Sequence, residues 1–150
     1  MEYTITKFVH VTLAIVAVGF NLSYGIWIAR SASDPEHIGF VMRTIRWIDA
    51  RLANPAYAVL LITGLFMAFD AGYPLTTFWI AAALVLYALA AFLGVALIAP
   101  NFRAQLRALE TAGPASDAFR RAASRGRALG LLVSLDVIAI VLLMVAKPTR

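Results

Sequence analysis

Four apolar runs leave this chain little choice of solvent. Residues 8–28, 52–69, 78–99 and 129–146 each approach the ~20 residues that an α-helix needs to cross a bilayer. Together they carry a single residue of the Asp, Glu, Lys and Arg set, Asp136. The sequence therefore predicts an all-α fold, a transmembrane four-helix bundle built from one integral membrane domain. Composition agrees. Of 150 residues, 62% are hydrophobic and 14% charged, against about half and about a quarter in soluble globules. A domain of this size keeps too much surface exposed to hide so much apolar area in a water-soluble core. There is no cysteine, which excludes disulfides, thiolate metal sites, iron–sulfur clusters and covalent c-type haem. The opening MEYTITK lacks a cationic n-region, and no small-residue cleavage site follows the first run. That run is expected to be a retained span and not a signal peptide.

Between the runs, two segments read as helix outside the lipid. Asp34-Pro35-Glu36 supplies a cap, a first-turn proline and an early acid. Ile38, Val41, Met42, Ile45, Ile48 and Leu52 then recur at helical spacing, opposite Arg43, Arg46 and Asp49. Residues 35–51 are thus expected to form an amphipathic lead-in lying at the membrane surface, with a bend at Asn54-Pro55. After Pro100-Asn101, FRAQLRALETA stays helical in character until Gly113-Pro114, and Ser116 and Asp117 can cap a helix that runs into the fourth span. Residues 101–127 become the tip of a long antiparallel hairpin.

Charge predicts orientation. The segment 30–51 holds four arginines and 101–127 holds six, whereas 70–77 holds no base. By the positive-inside rule both basic segments face the cytoplasm and both termini face outward, to the periplasmic side of a bacterial-type inner (plasma) membrane. The net charge of +5 then reports membrane topology and attraction to anionic lipid, with no nucleic acid among the expected partners.

Polar residues inside the spans are the functional candidates. On a helix Asn21 lies roughly 20° from His10, about three turns deeper, with Ala14, Ala17 and Tyr24 near the same line. This small, polar stripe should face the bundle, because unpaired polar groups in hydrocarbon cost several kcal/mol. Asp136 sits well inside the fourth span, and Lys147 follows on nearly the same line. An intramembrane acid is either a proton relay or a structural group, neutral or paired with Asn21, Asn54 or an arginine. An interior polar network of Asn21, Asn54 and Asp136 is the expectation. His10, Met67, Met144, Asp70, Trp79 and Lys147 all fall near the outer surface, while His37 falls at the opposite one. The two histidines therefore cannot ligate one haem within a single chain. A haem would need His10 with Met67, Met144, a tyrosine, an open position or a second subunit. His10 with Met67 and Met144 also suits copper, since imidazole and thioether favour Cu(I). The bland alternatives stay open: a packed histidine, and methionines that fill helical cores. No hydrolase motif or phosphate loop is present. Gly126-x-x-x-Gly130 and Gly19-x-x-x-Ser23 permit close helix contact, within the chain or in a homodimer or larger membrane complex.

KFVH at 7–10, TGLFM at 63–67, the tryptophan opening the third span and LLMVAKP at 142–148 make the chain resemble a family of small predicted integral membrane proteins of unknown function. More distantly it is similar to HemJ-type protoporphyrinogen oxidases and to the membrane part of CopD-type copper-resistance proteins. The HemJ-type likeness rests on residues 7–10, RLANPA at 51–56 and VAKP at 145–148. It implies b-type haem (haem b) with His10 as an axial ligand candidate and Lys147 near the cofactor, against a propionate. Asn21 is a further candidate for the cofactor's surroundings. The chain has WIAAA at 79–83 and VSLD at 133–136, where that family has a histidine with a lysine and an acidic-Val-Pro motif. The resemblance thus carries haem binding further than porphyrinogen oxidation. The leading expectation is a b-type haem-binding redox component, HemJ-like or linked to quinone. A non-enzymatic accessory subunit and copper or small-solute transport are the alternatives.

Overall fold

The computed structural model describes residues 1–32 and 34–148. Among them it contains helices and no strand: α1 (Glu2–Ser31), α2 (Ile38–Ile48), α3 (Asn54–Asp70), α4 (Phe78–Leu93), α5 (Ala99–Ala112) and α6 (Asp117–Ala146). α2 runs into α3, and α4 into α5, each through a five-residue π-helical turn, Asp49–Ala53 and Gly94–Ile98. The result is four long helical rods, each apolar and long enough to cross a membrane.

Both π turns have the same cause. Pro55 and Pro100 stand at the start of the following helix. In an uninterrupted α-helix each ring would collide with the carbonyl four residues earlier and leave it without a donor. Inserting a wider turn just upstream, with Asn54 N–H bonded to the Asp49 carbonyl and Ala99 N–H to that of Gly94, lets the rod continue. The Asn54-Pro55 bend expected from sequence is this π turn, and helical backbone persists through it.

Helix ends follow ordinary capping chemistry. Ser116 accepts a hydrogen bond from Phe119 N–H at 3.2 Å, capping α6 as its sequence suggested. Gly113 ends α5 and Gly72 follows α3, both at positive φ (79° and 71°) where a side chain would be strained. At the start of α2 the Asp34 carboxylate accepts from the Glu36 and His37 amides and lies 2.8 Å from His37 Nδ1. The His37 bond is the main cause holding this exposed carboxyl below its usual range.

The rods pack as two antiparallel pairs. α1 lies on α3 and α4 on α6, with α1 also meeting α6. Small residues line these contacts: Ala17, Ala53, Ala56, Ala68 and Ala83 are buried, while Phe8, Ile15, Ile62, Phe66, Val85, Leu131 and Val145 are exposed to the lipid. In hydrocarbon no hydrophobic force draws large side chains inward, so close backbone approach through small residues takes its place. Gly126 shows this within the hairpin. A Cβ there would stand 2.4 Å from Gln105 Nε2 and 2.9 Å from Asn101 Nδ2. The Asn101 amide meanwhile donates to the Ala122 carbonyl at 3.1 Å. Gly126 thus serves contact inside the chain.

The arginine-rich end has a second core. Ile38 and Met42 of α2, Leu106 of α5 and Phe119 of α6 form one buried cluster. The apolar face of the lead-in helix is covered within the chain: its Ile38–Met42 edge packs on the α5–α6 hairpin, and Ile45 is buried as well. Met42 is fully buried, so Met42→Ala is expected to cost about 2–5 kcal/mol. Thermal unfolding of the detergent-solubilised protein would show the loss, whereas Phe40→Ala, at an exposed position of the same helix, should unfold close to wild type.

Candidate functional site

His10 extends from α1 onto α3. Its Nδ1 lies 2.8 Å from Thr63 Oγ1. The Thr63 hydroxyl hydrogen is already committed to backbone carbonyls of its own helix, Val59 at 2.7 Å and Leu60 at 3.2 Å. With that hydrogen on a carbonyl, Thr63 Oγ1 offers its lone pairs to His10, an arrangement that favours the neutral tautomer protonated at Nδ1. Nε2 then keeps its lone pair. Gly64 makes the approach possible, because a Cβ there would be 3.2 Å from His10 Cε1. Threonine and glycine side by side thus form a seat for one edge of the imidazole, with the Leu60 carbonyl beside the ring. The ring is half-buried.

Deeper in the bundle Asn21 donates to Tyr57 Oη at 2.6 Å and to the Ala17 carbonyl at 3.2 Å. Tyr57 Oη donates in turn to that carbonyl at 3.4 Å. Tyr87 of α4 donates to the Tyr57 backbone carbonyl at 3.1 Å. One polar cluster therefore ties α1, α3 and α4 together. The polar stripe of α1 faces the bundle, and His10 and Asn21 are both held by α3.

The remaining candidates are dispersed. Asn54 is exposed and bonds Asp49 Oδ2 at 3.4 Å, one turn below Tyr57, so it does not join Asn21. Asp136 is buried, and its Oδ2 has no partner among the described residues. The expected network of Asn21, Asn54 and Asp136 is corrected to Asn21, Tyr57 and Tyr87, because Tyr57 fills the azimuth where Asn21 points. Met67 stands one turn beyond Thr63 on the same side of α3. Met144 is on the exposed side of α6, while its neighbour Leu143 packs on Ala68, Trp79 and Ile80. α6 ends with Lys147 in the left-handed conformation (φ 43°), its Nζ 5.4 Å from the Trp79 ring centroid. Lys147 is thus engaged by an aromatic face, a contact of about 0.5–1 kcal/mol when exposed. His37 pairs with Asp34 near the arginine-rich end, far along the chain from His10. Among the described residues no three His, Cys, Asp or Glu side chains are grouped to hold a metal ion.

Thr63, Gly64, Tyr57 and Tyr87 are the site residues that sequence reasoning missed. The Thr-Gly pair was visible as part of a motif, and its signal is a glycine next to a hydroxyl at the depth of a histidine on a neighbouring span. An apolar cleft of about 390 Å³ separates α1 from α2, lined by Phe20, Tyr24, Trp27, Phe40 and Ile45 among others. The buried Tyr24 hydroxyl has no partner among the described residues.

A bundle of four apolar rods with an inward polar stripe defines an integral membrane protein, in contact with the lipid bilayer over most of its surface. The chain belongs to the predicted integral membrane protein family DUF2269, which it matches over residues 4–148. No curated protein and no solved structure matches it.

Two stability measurements check this geometry. A double-mutant cycle of Asn21→Ala with Tyr57→Phe should give a coupling of about 0.5–1.7 kcal/mol, the range for interhelical hydrogen bonds in membranes. Asp136→Leu should raise thermal stability by about 1–3 kcal/mol, because it removes an unpaired buried polar group. A lowered melting temperature would mean that the carboxyl has a partner in the native protein.

Proposed function

We propose that the protein is a b-type haem-binding component of a bacterial-type inner membrane, with His10 as the axial ligand and a redox role. The observation that carries this reading is the Thr63 clamp on His10 Nδ1. Metal-bound imidazoles are held in this way: one nitrogen donates to a fixed oxygen, and the other presents its lone pair to the metal. His10 would hold the haem, with Met67 or a residue from a second copy in a homodimer as a further candidate donor. Haem when bound would supply one-electron chemistry. The chain's own part is to fix the imidazole plane, hold the Nδ1 proton and present Nε2. By the positive-inside rule this happens in the outer half of the membrane, with both termini on the outer side. A propionate role for Lys147 requires its ammonium to leave the Trp79 face.

A second reading is a non-enzymatic accessory subunit of a larger membrane complex. It is favoured by the way Asn21, Tyr57 and Tyr87 are spent on cross-helix bonds. Copper or small-solute transport is the third. Copper held by His10 and Met67 would need further donors from a second chain, since Met144 is exposed.

The test is a visible absorption spectrum of detergent-purified protein from haem-replete cells, oxidised and reduced. Wild type should show a haem spectrum that collapses in His10→Ala. Thr63→Val should bind haem about 10–100-fold more weakly, the usual effect of losing such a support. A colourless wild type would refute haem binding, and larger proteins co-purifying with it would then favour the accessory subunit.

A further inference from the structure

At the arginine-rich end, α2 and α5 enclose a cleft of about 370 Å³ lined by Arg43, Arg46, Arg103, Arg107, Leu106 and Glu110. Four arginines and a single glutamate thus border one space. Among the described residues none of the four forms an ion pair or a hydrogen bond, unlike Arg120 on the same end of the molecule, which pairs with Asp117. Four unpaired like charges facing one space repel each other, and that repulsion is relieved by an anion between them. The Ile38, Met42, Leu106 and Phe119 cluster beneath them fixes α2 against α5 and α6, so the cleft has a rigid floor. Gly39 leaves room for one wall: a Cβ there would be 3.3 Å from Arg43 Nη1.

Depth narrows the ligand. Arg46 precedes the span at 52–69 by six residues and Arg103 follows that at 78–99 by four. At ~1.5 Å per residue they stand about 6–9 Å beyond the apolar spans. A bilayer of about 40–45 Å with a hydrocarbon core of about 30 Å has about 5–8 Å of headgroup on each side. Arg46 and Arg103 therefore sit close to the level of lipid phosphates, with Arg43 and Arg107 about one turn further out, and their planar donors match phosphate oxygens two at a time. Exposed Trp47, adjacent to Arg46, is the kind of residue that settles at the same interface.

We propose that this cleft is a binding site for a polyanion bearing two phosphate groups, held by Arg43, Arg46, Arg103 and Arg107. Two sources carry that chemistry, a doubly charged lipid headgroup and a free diphosphate. The full chain is reconstituted in phosphatidylcholine nanodiscs, and thermal unfolding is followed on adding cardiolipin to the lipid or inorganic pyrophosphate to the buffer. Wild type should melt higher by roughly 4 °C or more at saturating ligand. Arg43→Gln with Arg107→Gln should lose that rise. Arg121→Gln with Arg125→Gln, an equal charge change outside the cleft, should keep it. The cleft arginines are exposed and unpaired, so the first variant should melt no lower than wild type in phosphatidylcholine alone. A rise with cardiolipin only assigns the site to lipid, and a rise with pyrophosphate assigns it to a soluble diphosphate. No rise with either, or equal loss in both variants, overturns the proposal.

Discussion

Hydrocarbon offers no hydrogen-bond partner, and the rest of this structure follows from that constraint. It makes the rods helical, and it decides which side of each rod is inside. α1 is apolar on nearly all faces and buries little of its surface, so hydrophobicity alone could not orient it. The line through His10, Ala17 and Asn21 does. Two polar groups on it find partners on α3: Thr63 for His10 and Tyr57 for Asn21. As residue numbers on α1 rise, those of the partners on α3 fall, which makes the pair antiparallel and fixes its register. The wide separation of these two bonds along the helix resists sliding as well as rotation.

At the other end a different force takes over. α2, the end of α5 and the start of α6 lie beyond the apolar spans and bury Ile38, Met42, Leu106 and Phe119 as a small soluble protein would. The molecule thus has a lipid-solvated half held by small residues and interhelical hydrogen bonds, and a water-facing half held by large apolar ones. The π turns lie close to where the two meet on each rod. There the prolines would otherwise break the helix, and the wider turn keeps the rod continuous.

Much of this was legible in the sequence, and the reasons for the rest are specific. Span number and helical class come from run length, which lipid thickness fixes. The inward aim of His10 comes from helical periodicity within one run. What periodicity cannot give is the azimuth and height of one helix against another. The partner of Asn21 turned out to be Tyr57, while Asn54, one turn away along the same rod, turns to Asp49. Likewise Lys147 was aligned with Asp136 along α6, yet its left-handed backbone at the helix end directs Nζ to Trp79. Short-range capping at Ser116 was readable because donor and acceptor belong to adjacent residues.

The His10 seat shows how a neutral scaffold can hold and orient an imidazole without charge. A carboxylate partner would also hold Nδ1–H, but in hydrocarbon it would bring a buried anion whose desolvation costs several kcal/mol. Thr63 achieves the same polarity through two neutral steps. Its hydroxyl hydrogen is taken by the Val59 carbonyl, a group that already belongs to the helix, and its oxygen lone pair is turned towards α1. A backbone carbonyl of α3 thus acts, through Thr63, on the orientation of a side chain on α1. Gly64 eases the arrangement, since a Cβ there would stand 3.2 Å from His10 Cε1 and the ring would have to give by a few tenths of an ångström. A two-residue motif on one span thus holds one edge of a single imidazole on another, using only neutral groups.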